Sequence, residues 1–144
     1  MRTALSRCRS ALPDETACGM HDYHRLLVWK KAHSVAIAID RLTCRMPRRD
    51  NSDLISQMRR AALSIPTNIA EGSNRPTDRD FARFLQIALA SASELEYHLE
   101  FSADTARIDR AQFTAHQAEL VEIRKMLVGL IRRMKANDPK SRAI

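Results

Sequence analysis

The chain has 144 residues and carries 24 Lys and Arg against 17 Asp and Glu, a formal net charge of +7. That length suits one domain with a real core, and 44% hydrophobic residues with only 3 Gly argue for long helices and against a turn-rich β fold. The longest wholly apolar run, Val35 to Ile39, is far below the roughly 20 residues that span a bilayer, so no membrane segment is expected. Cys8, Cys18 and Cys44 are an odd set without CxxC spacing, which points to neither a disulfide framework nor a zinc site and fits a reducing cytoplasm.

Residues 1–19 begin with an Arg-bearing stretch but lack the apolar core of a secretory signal, and Asp14 and Glu15 count against a transit peptide. A disordered leader, or a misassigned start with Met20 opening the chain, is the expectation. The first helix then shows a seam of Val28, Ala32, Val35, Ile39, Leu42 and Met46, stopped by Pro47. A second runs from about Ser52 to Gly72, with Leu54, Met58, Ala61, Ile65 and Ile69 as its seam and Gly72 as a natural C-terminal cap. Pro66 lies inside it and predicts a kink, or else a break into two short helices.

Thr77 and Asp80 resemble an N-cap with an acidic first turn for the third helix, whose seam is Phe81, Leu85, Ala88, Ala92, Leu95 and Leu99. Its small middle, Ala88 and Ala90 to Ser93, invites close approach of a neighbour. Asp109 caps the fourth helix, with seam Phe113, His116, Leu120, Ile123, Leu127, Leu130 and Met134. The connections, near 47–51, 73–77 and 104–109, are short. Together these elements predict an all-α protein, an antiparallel up-down-up-down four-helix bundle with a kinked second helix, occupying residues 20–137 and followed by a flexible tail, 138–144.

No catalytic constellation emerges. A di-iron bundle needs paired ExxH motifs, whereas Glu94 and His98 are four apart; His116 on the core seam reads as a hydrogen-bonded structural histidine. His21 and His24 have no obvious partners, and Glu119 with Glu122 lacks a second acidic block, so a solvated face explains that pair. No metal, cofactor or enzymatic activity is expected. Basic residues cluster twice: Arg45, Arg48 and Arg49 at the first turn, and Arg124, Lys125, Arg132, Arg133 and Lys135 along the last helix. Cations at a helix C-terminus also answer the macrodipole, so the second cluster partly explains itself. With aromatics at 5% there is little material for base stacking, and any nucleic-acid contact would be to phosphates. A polar line, Gln57, Arg60, Ser64, Asn68 and Glu71, flanks the second seam, as a solvated edge or as a paired network at a helix or subunit interface.

The segments Leu26 to Ile39, Ser56 to Ser73, Phe81 to Leu99 and Glu122 to Met134 resemble, in order, the four-helix bundle family of 23S rRNA intervening-sequence proteins. The most specific block is SQxRRAAxSIxxNIAEG, filled by Ser56, Gln57, Arg59, Arg60, Ala61, Ala62, Ser64, Ile65, Asn68, Ile69, Ala70, Glu71 and Gly72. The family name records where some members are encoded and defines no activity. The resemblance implies a homopentameric ring of bundles and extends distantly to the accessory protein of diversity-generating retroelements, a basic pentamer that works with a reverse transcriptase and RNA. The expectation is a non-enzymatic oligomer that binds itself and RNA or DNA, with an adapter for an acidic or reverse-transcriptase partner as the alternative.

Overall fold

The computed structural model describes residues 21–139. The leader 1–19 and, apart from Asp138 and Pro139, the tail lie outside the described residues. A 3₁₀ turn, Tyr23–Arg25, leads into α1, Leu27–Cys44. All six expected seam residues of α1 and its continuation are buried, and the helix ends three residues before Pro47, whose ring disfavours helical geometry in the residue preceding it. Thr43 is buried at the same end, its Oγ1 donating back to the Ile39 and Asp40 carbonyls at 2.9 and 3.0 Å.

The second helix, α2, covers Ser52–Ser73 and runs through Pro66 without dividing into two. Pro66 has no N–H for the Ala62 carbonyl, yet it is buried on the core side, where packing outweighs the lost bond. Gly72 does not cap α2. It lies within the last turn, buried, and the cap is Asn74. A Cβ at Gly72 would stand 2.7 Å from Phe81 Cδ2 and 2.8 Å from Phe84 Cβ, so glycine is needed here for helix proximity.

Helix α3, Asp78–Asp104, opens as expected: Thr77 Oγ1 accepts from the Asp80 N–H at 3.1 Å and donates to Asp80 Oδ2 at 2.8 Å. It closes on Ala106, which holds φ 56°, a left-handed position usually given to glycine. The amides of Arg107 and Ile108 turn back to the Ser102 carbonyl there. Helix α4, Arg110–Asn137, begins with the Asp109 N–H donating to Gln112 Oε1 at 2.9 Å.

Each helix packs on the next, and α4 returns to α1, while the backbones of the diagonal pairs stay apart. Met58 meets Ser102, Ser64 meets Ser91, and Gly72 meets Phe81, so α2 and α3 run in opposite directions. At one end of the bundle the connections 45–51 and 105–109 join, because Arg107 Nε donates to Asn51 Oδ1. The other end gathers the 3₁₀ turn, the α2–α3 connection and the last turns of α4: His21 donates its N–H to the Ser73 carbonyl at 3.1 Å, and Lys135 and Asn137 border a depression with Thr77 and Asp78. The α1–α4 seam is the thinnest of the four and leaves an apolar groove of about 280 Å³ lined by Leu26, Leu27, Val28, Met126, Gly129, Leu130 and Arg133. Among the described residues no helix is long and apolar enough to cross a membrane.

Candidate nucleic-acid interface

The sequence groups two sets of cations; the fold separates them. Arg45, Arg48 and Arg49 are exposed on the connection between α1 and α2, and none forms an ion pair with a described residue. This connection is held from inside. Asn51 is 8% exposed, its Nδ2 donates to the Pro47 carbonyl at 2.8 Å, and its Oδ1 accepts from Arg107. The same guanidinium donates to Thr105 Oγ1 at 2.7 Å and lies 5.6 Å from the centre of the Phe101 ring. Arg107 was not legible as a site residue, because its partner is remote in sequence. Counting 45–51 and 104–110 together, five Arg face three Asp, and only Arg110 is tied to one of them, to Asp104 at 2.6 Å.

Arg132, Arg133 and Lys135 lie exposed at the far end of the bundle, in the last turns of α4. Arg124 does not belong with them. Its Nη1 lies 2.8 Å from Glu96 Oε2, a carboxylate only 16% exposed that also accepts from Gln117 Nε2 at 3.1 Å. This half-buried pair ties α4 to α3, and Arg124 has no charge to spare for a phosphate. Lys125 is exposed. Lys31 and Glu122, 3.1 Å apart, join α1 to α4 at the surface, where such a pair adds about 0–1 kcal/mol.

The polar stripe of α2 divides into two parts. Ser64, Asn68 and Gln57 are half-buried; Arg60 and Glu71 are exposed. Asn68 Nδ2 donates to the Ser64 carbonyl at 2.8 Å and to Ser64 Oγ at 2.9 Å, and Ser91 Oγ reaches Ser64 Oγ at 2.8 Å across the α2–α3 contact. Asn68→Ala should therefore cost about 1 kcal/mol, and Glu71→Ala should stay within about 0.5 kcal/mol in urea denaturation. A neutral Asn68→Ala would show the stripe to be solvated throughout. The arginine that is engaged in α2 is Arg59, whose Nε donates to Thr43 Oγ1 at 2.8 Å and whose Nη2 reaches Cys44 Sγ at 3.2 Å, with Asp40 at 3.5 Å.

The histidines differ from expectation. His116 is on the seam, half-buried, but its Nδ1 has no hydrogen-bond partner; the nearest carboxylate is Glu119 at 4.0 Å. His24, expected to have no partner, lies 2.9 Å from Asp22 Oδ1 through its Nδ1 and donates its backbone N–H to the same oxygen at 3.1 Å. The side-chain hydrogen bond and then the backbone bond hold the Asp22 carboxyl below the usual carboxylate range. Among the described residues, no three His, Cys, Asp or Glu gather closely enough to hold a metal ion.

The fold defines an all-helical, four-helix bundle protein. The family model described as 23S rRNA-intervening sequence protein matches residues 24–129, and the chain belongs to that family. A similar solved structure is the crystal structure of a protein with unknown function from the S23 ribosomal protein family of Bacteroides thetaiotaomicron. It shares 31% identity, with 73% of this chain and 98% of that one covered, at a TM-score of 0.68. No curated protein matches the chain.

Proposed function

We propose that this protein is a non-enzymatic, self-assembling, nucleic-acid-associated protein that holds RNA by its phosphates at the ends of the bundle. The observation that carries this reading is the exposed, unpaired trio Arg45, Arg48 and Arg49 on a connection stiffened by Asn51 and Arg107. Such a surface pre-positions guanidinium groups without spending them on carboxylates, which suits phosphate contact and carries no base readout. The names given to the family and to the similar structure refer to 23S rRNA and to ribosomal protein, which favours RNA over DNA.

Self-association is supported by the thin α1–α4 seam, where Leu27 is 58% exposed beside an apolar groove. A pentamer is the form the family resemblance suggests. The same groove, with Arg133 on its rim, favours the adapter for an acidic partner protein as a second reading. A free, exposed Cys44 fits the cytoplasm as the compartment.

Titration of labelled RNA with the full chain at low salt, alongside light scattering, tests the proposal. Saturable binding by an intact oligomer is the expected result. No binding with the oligomer intact would move the adapter reading to the front.

A further inference from the structure

Four rings crowd the start of α1, although the chain as a whole is poor in aromatics. The 3₁₀ turn folds Tyr23 and His24 back against the first turns of the helix, where Trp29 and His33 stand four residues apart on one face. Tyr23 and His24 stack with centroids 4.0 Å apart, and each meets Trp29 edge-on, at 5.0 and 5.2 Å. His33 lies flat on the indole, 4.9 Å between centroids with only 9° between planes. Trp29 leans on the hydrophobic core, whereas His24 and His33 are exposed.

Core packing accounts for Trp29 and Tyr23. It does not account for an exposed imidazole laid parallel on the indole, since His33 is free to turn into water. The resulting ladder leaves an open π face on His33. Two cations lie in the same segment, Arg25 and Lys30; neither forms an ion pair with a described residue, although Arg25 acts at longer range on the Asp22 carboxylate that holds His24. Open ring faces bordered by exposed cations are the combination that takes unpaired nucleobases, the rings stacking on bases and the cations holding the adjoining phosphates. A duplex keeps its base faces covered and offers nothing to such a ladder.

We infer that an unpaired base of single-stranded RNA stacks on the outer face of His33, extending the Trp29–His33 ladder, with Arg25 and Lys30 on its backbone. This site rests on the nucleic-acid reading above and adds to it a preference for single strands that the arginine clusters do not supply.

Trp29 is the chain's single tryptophan, so its fluorescence reports this one place. The full-length protein is titrated with a short oligouridylate and with an RNA duplex of equal length, and both fluorescence and affinity are measured. Oligouridylate should change Trp29 emission on binding, and the duplex should bind without doing so. His33→Ala should weaken oligouridylate binding about five- to a hundred-fold and leave the duplex affinity unchanged, while His33→Phe, which restores a flat ring, should bind the oligouridylate like wild type. His33 is exposed, so these exchanges leave the core alone. Oligouridylate binding with unchanged emission and unchanged affinity in His33→Ala would overturn the stacking site alone. Failure to bind either RNA would overturn the nucleic-acid reading and this site with it.

Discussion

Gly72→Ala is expected to destabilise the protein by about 1–3 kcal/mol, even though alanine ordinarily gains ~1 kcal/mol over glycine inside a helix. The reason is space. The new methyl would sit 2.7 Å from Phe81 Cδ2 and 2.8 Å from Phe84 Cβ, distances that real side chains do not tolerate. Phe81 is 2% exposed and locked in the first turns of α3, and a Cβ follows its own backbone, so relief requires moving one helix away from the other. Ser64 and Ser91 would feel that movement, because their hydrogen bond crosses the same contact. Gly129 supplies the control. Nothing lies within 4 Å of a Cβ placed there, so Gly129→Ala should raise stability by about 1 kcal/mol. The denaturation midpoints of the two variants should move in opposite directions, and an upward shift for both would mean that α2 and α3 do not approach so closely.

The helices and their core faces were legible because burial follows a short-range rule. Every third or fourth residue faces the same way, so Leu85, Ala88, Ala92, Leu95 and Leu99 announce a seam, and all are buried. Caps are equally local: Thr77 and Asp109 act on groups within a turn of themselves. What periodicity does not convey is which residue of another helix stands opposite. Gly72 reads as a helix terminator in sequence, whereas its neighbours Phe81 and Phe84 lie on another helix. Arg124 looked like one of a basic run until Glu96 was found beside it, and Arg107 looked like an ordinary loop cation although it braces Asn51 from 56 positions away. A count of charges treats paired and unpaired cations alike, so only the fold separates the arginines that hold the bundle from those without an ion pair among the described residues. A low average aromatic content likewise does not convey that rings gather at one helix start.

The largest effect expected is the loss of RNA affinity with salt. Each phosphate engaged by a cation releases counterions, and for single strands the slope of log affinity against log salt is about −0.7 per contact. Arg45, Arg48 and Arg49 together give about −2, and with Arg132, Arg133 and Lys135 at the other end about −4, before any contribution from Arg25 and Lys30. Between 50 and 200 mM salt that is a fall of roughly 20-fold for one end and roughly 300-fold for both. The ends are separated by the length of α3, whose 27 residues span about 40 Å, so an RNA too short to bridge that distance should show the shallower slope and a longer one the steeper. Changing Arg45, Arg48 and Arg49 to Glu should flatten the slope for long RNA by about 2, and changing Arg132, Arg133 and Lys135 to Glu should remove a similar share. Arg124→Gln, by contrast, should leave the slope alone and instead lower stability, since Glu96 loses the partner that shields it. Light scattering on each variant separates lost binding from lost assembly. A wild-type slope near zero, or one that neither triple reversal alters, would exclude the bundle ends as the place where RNA is held.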